Sequence, residues 1–301
     1  MFGVSRSGKT CYLYAMSQVL NYGVDMESTH LSVIANDPMQ QSILNNGYLE
    51  MVSGVWPEGS IETREFDFNV SIQHEGIYIP LIPSLILHDY RGGVWEGATE
   101  ANIKEREALL ASFADAMCVL FLVDGNTLLH AMDAMDVAPG HRVVSAIDKV
   151  RARQQVSFVQ NLFLKFKENA NGNQLPPILV VITKSDVFSS SYEKRNAYNY
   201  IRKTIPSIFA QGSHVDAAIT SVSLGDNLTN HNMQLAGDLD ISINHNIHIP
   251  MVFSLYAYLD SIYDGCPEEE QELIDSLLKS LRDCFADKIE LYMNGIPAFA
   301  C

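Results

Sequence analysis

The sequence predicts an α/β protein: a three-layer fold with a mostly parallel central sheet and an extra C-terminal helix. Short apolar runs at 84–88, 116–123 and 178–182 have the length and near-continuous hydrophobicity of strands covered on both faces. Longer stretches of helical spacing alternate with them, the arrangement of a doubly wound sheet with right-handed crossovers. A chain of 301 residues, 47% hydrophobic, is large enough to bury the core such a fold needs.

In chain order, residues 9–22 read as a helix with Leu13, Met16 and Leu20 on one face. Residues 23–60 are mixed and rich in turn signals, among them Asn45-Asn46-Gly47 and Trp56-Pro57-Glu58-Gly59. From 64 to 72 the pattern alternates strictly, with Phe66, Phe68, Val70 and Ile72 against Glu65, Asp67, Asn69 and Ser71. That is a strand with one buried face, and 77–81 is its candidate partner. The run 84–88 is expected to be a buried parallel strand, followed by a turn at 89–93 and a helix at 104–113. Residues 116–123 form the strongest buried strand, and 127–142 reads as an insertion. A long helix is expected at 143–167, a strand at 178–182, a helix at 192–209, a strand at 216–222, a polar loop at 227–246 and a helix at 250–263. Residues 268–293 read as a last, acidic amphipathic helix. Pro267 suits its first turn, the following glutamates favour its N-terminal dipole, and Leu273, Ile274, Leu277, Leu278, Leu281 and Phe285 form a face expected to dock on the core. The expected division is 1–263 as one domain and 264–301 as helix and tail.

The formal charge of −16 removes any electrostatic reason to bind nucleic acid or an anionic membrane, so a phosphate site has to be local. The five cysteines, Cys11, Cys118, Cys266, Cys284 and Cys301, are odd in number and show no CxxC spacing, which fits a reducing, cytoplasmic setting. No apolar stretch is long and uncharged enough to predict a membrane span. His245 and His248 have a helical metal-pair spacing, but their Asn-rich flanks read as loop.

Four places concentrate the chemistry. Residues 3–10, GVSRSGKT, match GxxxxGK[ST] in full. Glycines let such a loop wrap closely so that backbone N–H groups point at phosphates; Lys9 would reach the β- and γ-phosphates, the Thr10 hydroxyl would bind magnesium, and the helix N-terminus would add its dipole. Gly3, Ser5, Arg6, Ser7, Gly8, Lys9, Thr10 and Cys11 are the candidate phosphate-binding residues. Only Met1 and Phe2 precede the loop, where a buried strand is expected, so the first strand is read as truncated. Second, Asp89 in HDYRGG follows a strand and could hold magnesium through water, with Gly92 offering its amide to a γ-phosphate. Third, Thr183-Lys184-Ser185-Asp186 ends the next strand; the Asp186 carboxylate can accept the N1–H and 2-amino donors of guanine, which adenine lacks, while the Lys184 stem covers the base. Fourth, 221–225, SVSLG, brings Ser223 and Leu224 to a position where backbone could meet the guanine O6.

In that order the four motifs resemble the boxes of the translation-factor-related P-loop GTPases (TRAFAC class), and within them most closely the bacterial double-GTPase-like group. Residues 56–60, WPEGS, are similar to that group's WPxGT switch segment, and 246–259 to its closing helix. The resemblance covers about residues 1–263. It implies a P-loop NTPase fold, GTP or GDP with magnesium as ligands, Asp89 and Gly92 in a second switch, and a first-switch hydroxyl at Ser60 with Thr63 as its rival. It also implies a protein effector or activating protein. Three departures matter. Thr183 stands where asparagine is commonest, Ser60 where threonine is, and Gly93 where Ras-like GTPases carry the glutamine that orients water. Hydrolysis is therefore expected to be slow, with Arg6, Arg91 and Glu96 as candidates for placing the water. The expectation is a GTP-binding switch; a P-loop ATPase for assembly or remodelling and a non-hydrolysing nucleotide-bound scaffold are the rivals.

Overall fold

A computed structural model of the chain describes residues 1–3, 6–57, 62–80, 84–91, 99–113, 116–132, 146–169, 175–226, 228–231, 234–237 and 239–299. In order, the elements are α1 (Lys9–Tyr22), β1 (Val24–Met26), β2 (Thr29–Ala35), α2 (Pro38–Val52), β3 (Arg64–His74), β4 (Ile77–Ile79), β5 (Leu85–Asp89), α3 (Glu100–Ser112), β6 (Val119–Asp124), α4 (Gly125–Ala131), α5 (Ala146–Asn169), β7 (Ile178–Thr183), α6 (Ser191–Thr204), α7 (Pro206–Phe209), β8 (Ala217–Ser221), β9 (Thr229–His231), β10 (Gln234–Ala236), α8 (Ile249–Tyr263), α9 (Glu268–Phe285), β11 (Ile289–Met293) and β12 (Ile296–Phe299).

The chain is α/β, but the expected mostly parallel central sheet of a P-loop NTPase fold is not what forms. The strands make two five-stranded sheets and a separate β9–β10 hairpin. In the first sheet β3 lies between β2 and the pair β4 and β5, β1 flanks β2, and every pairing is antiparallel. Strand β5, expected to be parallel, runs against β3, with Arg64 opposite Asp89 and Phe68 opposite Leu85. The second sheet is mixed: β6, β7 and β8 are parallel, β11 is antiparallel to β8, and β12 is antiparallel to β11.

Tight turns explain the antiparallel share. Glu75-Gly76 between β3 and β4 has φ of 51° and 79°, and Asn294-Gly295 between β11 and β12 has φ of 50° and 75°. Positive φ at both central residues matches the right-handed twist of a hairpin, and Asn-Gly is the strongest short signal for it. The helix expected to reach residue 293 therefore stops at Phe285, and the segment after it returns to the sheet beside β8. The mixed region after α1 contains a seven-residue strand, β2, and a helix, α2, that the turn signals obscure. Helix α2 starts where the Asp37 side chain accepts the Met39 N–H, with Pro38 in the first turn. The single helix expected at 192–209 is divided at Pro206, which lacks the N–H that would continue it.

The parallel strands separate two cores. Val119, Phe121 and Val123 of β6 face one, packed with Phe163 and Phe166 of α5 and Ile201 of α6; Leu120 and Leu122 face the other, with Leu13 and Met16 of α1 and Leu255 of α8. Met1 and Phe2 lie between the two sheets: Met1 N donates to His88 O (2.8 Å) and Phe2 N to Leu120 O (2.8 Å), while Leu122 N donates to Phe2 O (2.7 Å). Helix α9 docks through Ile274, Leu277, Leu281 and Phe285, all fully buried. Each contributes about 1.5–3 kcal/mol of burial before ordering costs. A polar chain, buried except at Ser276, fixes its register: Thr29 Oγ1 meets both His74 Nδ1 and Ser280 Oγ at 2.7 Å, and His74 Nε2 meets Ser276 Oγ at 2.8 Å.

His248 precedes α8 fully buried, and neither ring nitrogen has a hydrogen-bond partner among the described residues. Burial, helped by the Lys288 charge, lowers its pKa from 6.5 to about 4. The unfolded chain then binds a proton near pH 6.5 that the folded chain refuses, so stability is intact above that pH and falls as pH drops toward 4, by as much as about 3 kcal/mol. His248→Leu should flatten this part of the profile. Urea midpoints of both proteins at pH 7.5 and 4.5 test it, and an equal acid loss in the two would refute the assignment.

Candidate functional site

The loop before α1 is shaped by a lack of room. A Cβ on Gly3 would lie 2.5 Å from Ser7 Oγ and 2.7 Å from Leu122 O. Arg6 (φ 65°) and Gly8 (φ 83°) are left-handed, and Gly8 caps α1 with no side-chain hydrogen bond. Helix α1 thus starts from a left-handed glycine and not from a side-chain cap, which leaves backbone as the lining of the turn at its N-terminus. Of the candidate phosphate residues, Ser5 lies outside the described residues.

Polar groups converge inside this turn. Lys9 is 6% exposed and its Nζ donates to Gly3 O at 3.0 Å. Asp89, the last residue of β5, is 1% exposed, and its Oδ1 has no hydrogen-bond partner among the described residues; the same is true of Ser7 Oγ. Burial lowers the Lys9 pKa against the opposing pull of Asp89, and burial raises that of Asp89 against Lys9 and Arg64. Two buried groups of opposite charge, each pushed toward neutrality, form a site that gains from a charged ligand. Thr10 follows Lys9 at the start of α1. Burial pushes the Cys11 thiol up to about 12, so it is an unreactive thiol at neutral pH.

The third motif reaches the first through space. β7 ends at Thr183, whose Oγ1 donates to Ser7 O at 2.7 Å. Lys184 (φ 53°) donates from Nζ to Asp124 Oδ2 at 2.9 Å and to Arg6 O at 3.2 Å. Asp186, in the short turn after it, accepts the Leu228 N–H at 3.1 Å, and burial raises its pKa. At the fourth motif, Ser223 N donates to His245 O (3.2 Å) and Ser223 Oγ meets His245 Nδ1 (2.7 Å). The Ser223 amide is thereby committed within the protein, which leaves Leu224 as the backbone candidate for a base carbonyl. His245 Nε2 meets Asp240 Oδ2 at 3.0 Å.

Ser60 and Gly92, with their neighbours Gly93 and Glu96, lie outside the described residues. Thr63 and Arg91 are described, and both hydrogen-bond to Glu105. Asp124, Gly125 and Glu105 are residues of this region that the sequence motifs do not single out, and His245 enters it as a partner of Ser223 and not of His248. Asp124-Gly125 carries a signal that could have found it: a carboxylate and a glycine directly after the strongest strand. A Cβ on Gly125 would lie 2.7 Å from Thr183 O and 2.8 Å from Lys184 O, so only glycine lets α4 start against the third motif. Among the described residues no group of three His, Cys, Asp or Glu gathers that could hold a metal alone. A cation here would rely on one carboxylate, one hydroxyl and ligand oxygens, the way magnesium is commonly held with phosphates. No described helix is long and apolar enough to cross a membrane.

Compared with protein-family models, curated proteins and solved structures, the chain finds no match in any of the three.

Thr183→Val removes the proton donated to Ser7 O while keeping the shape. It should cost about 1–3 kcal/mol, because the buried carbonyl loses its donor. A thermal or urea midpoint equal to wild type would show that this bond does not hold the two motifs together.

Proposed function

We propose that the chain is a GTP-binding regulatory switch with slow, magnesium-dependent GTP hydrolysis, akin to the translation-factor-related GTPases that its motifs resemble. One observation carries the reading: the loop at 3–10 and the Thr183–Asp186 motif, 176 residues apart, are joined by the Thr183–Ser7 hydrogen bond and reinforced by Lys184 on Arg6 O. A phosphate-binding turn and a base-binding carboxylate need a fixed separation to grip one nucleotide, and these bonds supply it. The orphan oxygen of buried Asp89 and the tight turn at Gly3 and Gly8 fit a magnesium–triphosphate ligand.

In this reading Gly3, Arg6, Ser7, Gly8 and Thr10 bind phosphate through backbone amides, with Cys11 beside them. The Thr10 hydroxyl and Asp89 would hold magnesium, which supplies neutralisation of charge that develops on the phosphate oxygens. Lys9 holds the β- and γ-oxygens, Asp186 reads the guanine edge, Lys184 covers the base, and Leu224 meets the O6. Catalysis is then positioning and charge stabilisation of an in-line attack by water. Asp186 separates this reading from an ATPase, since an adenine has no pair of donors for its carboxylate.

Lys9→Ala should weaken triphosphate binding by about thirtyfold or more, since it removes the buried cation that would pair with the β- and γ-phosphate oxygens. Calorimetric titration with GTP and magnesium measures this, and multiple-turnover phosphate release should fall with it; release equal to wild type would mean no hydrolysis at this loop. Asp186→Asn should weaken GTP on the order of a hundredfold and favour xanthosine triphosphate. An unchanged preference among GTP, ATP and xanthosine triphosphate would remove guanine from the proposal.

A further inference from the structure

The segment entering β3 and the segment leaving β5 meet on one carboxylate. Glu105, in the first turns of α3, accepts the Thr63 hydroxyl on Oε1 and Arg91 Nε on Oε2, the latter at 2.7 Å. The Arg91 guanidinium is forked, for its Nη2 also donates to Asn102 Oδ1 one turn earlier on α3. Asn102 is 6% exposed, and its N–H donates to the Thr99 cap at 3.2 Å, so the receiving residue is held at its backbone as well as its side chain. Tyr90 adds a further tie, its hydroxyl meeting Ser112 Oγ at 2.8 Å at the other end of α3. The Arg91–Glu105 pair is about three-quarters buried on both sides, with side chains 24% and 23% exposed. It is therefore screened less than a surface pair. Thr63 and Glu105 are 42 residues apart, and Arg91 and Glu105 are 14 apart, so this is a tertiary junction and not a helix-surface pair.

We infer that Glu105 is a positioning residue that couples the two segments, so that ordering either one at the phosphate site orders the other. This rests on the proposed switch function, in which both segments answer to the γ-phosphate. Neither oxygen of Glu105 touches the loop at 3–10 in the described contacts; it acts through Thr63 and Arg91. Both oxygens must be acceptors at once, because Thr63 and Arg91 both donate. A glutamine would keep one acceptor for Arg91 but could meet Thr63 only by donating to its hydroxyl, so it would reverse one bond and give up the charge of the other. Holding the two side chains in advance removes ordering costs that a γ-phosphate would otherwise meet, while GDP, lacking that phosphate, gains nothing from it.

The test compares wild type, Glu105→Ala and Glu105→Gln. Hydrogen exchange on the nucleotide-free proteins is followed at 62–66 and 89–91. In Glu105→Ala, exchange should rise at both segments together; a rise at one alone, or at neither, overturns the coupling. With GTPγS and with GDP as probes, Glu105→Ala should weaken GTPγS by about tenfold, the worth of one or two held side chains, and leave GDP within twofold. Glu105→Gln guards against misfolding: it keeps the size and can still bridge both partners through a weaker, uncharged bond to Arg91, so exchange at both segments should lie between wild type and Glu105→Ala, and a rise at one segment alone again overturns the coupling. If wild type binds neither nucleotide, the switch reading fails, and the exchange arm still decides whether Glu105 joins the segments.

Discussion

Much of this structure hangs on where two residues, Met1 and Phe2, lie. Their backbone hydrogen-bonds to β5 on one side and β6 on the other, and so holds an antiparallel sheet against a mixed one. The Phe2 ring fixes this junction, stacked on Tyr90 at 5.0 Å and tilted against Phe121 at 5.6 Å and Phe166 at 5.7 Å. Everything at the candidate site takes its position from this junction. The loop leaves directly after Phe2, Asp89 ends the strand on one side, and Asp124 ends the strand on the other. Strand ends that stop together expose backbone and side-chain polar groups at a common edge, where a ligand can meet several of them.

The site carries features that folding alone does not favour. Lys9 and Asp89 are buried and pushed toward neutrality, Ser7 Oγ and Asp89 Oδ1 lack partners among the described residues, and Arg6 adopts a left-handed conformation that costs a side chain about 1–2 kcal/mol. The surrounding fold has to compensate for these costs, and its two well-packed cores do so. By contrast, the polar chain of Thr29, His74, Ser276 and Ser280 is satisfied throughout and serves to dock α9. Orphaned polar groups occur elsewhere too, His248 among them; what marks the site is that two of them, Ser7 Oγ and Asp89 Oδ1, accompany a buried lysine at a glycine-bounded turn.

Elements whose pattern has one interpretation are legible in the amino-acid string: α1 from its apolar face, β3 from strict alternation, β6 and β7 from continuous hydrophobic runs. Strand direction is not. The run at 84–88 reads equally well as parallel or antiparallel, since an apolar run carries no strand direction, and β5 in fact leaves Ile86 exposed on one face. Asn294-Gly295 is a hairpin signal masked by the leucine pattern of α9 running up to it. At the site, the loop and the motifs at Asp89, Asp186 and Ser223 are visible as short strings. Asp124, His245 and Glu105 are not, because each works through partners 60, 22 and 42 residues away in sequence.

By itself, then, the sequence determined the local chemistry: a loop that only its glycines permit, a lysine and a carboxylate with no business in a core unless paired, and the periods that make helices and strands. Tertiary structure decided which of these meet. It turned β5 against β3, returned the C-terminal segment to the sheet, brought Thr183 onto Ser7, and committed the Ser223 amide to His245. The reason is physical. Periodicity and turn preference act over a few residues and leave their mark in the string, whereas strand partners and buried hydrogen bonds are chosen by the packing of the whole chain.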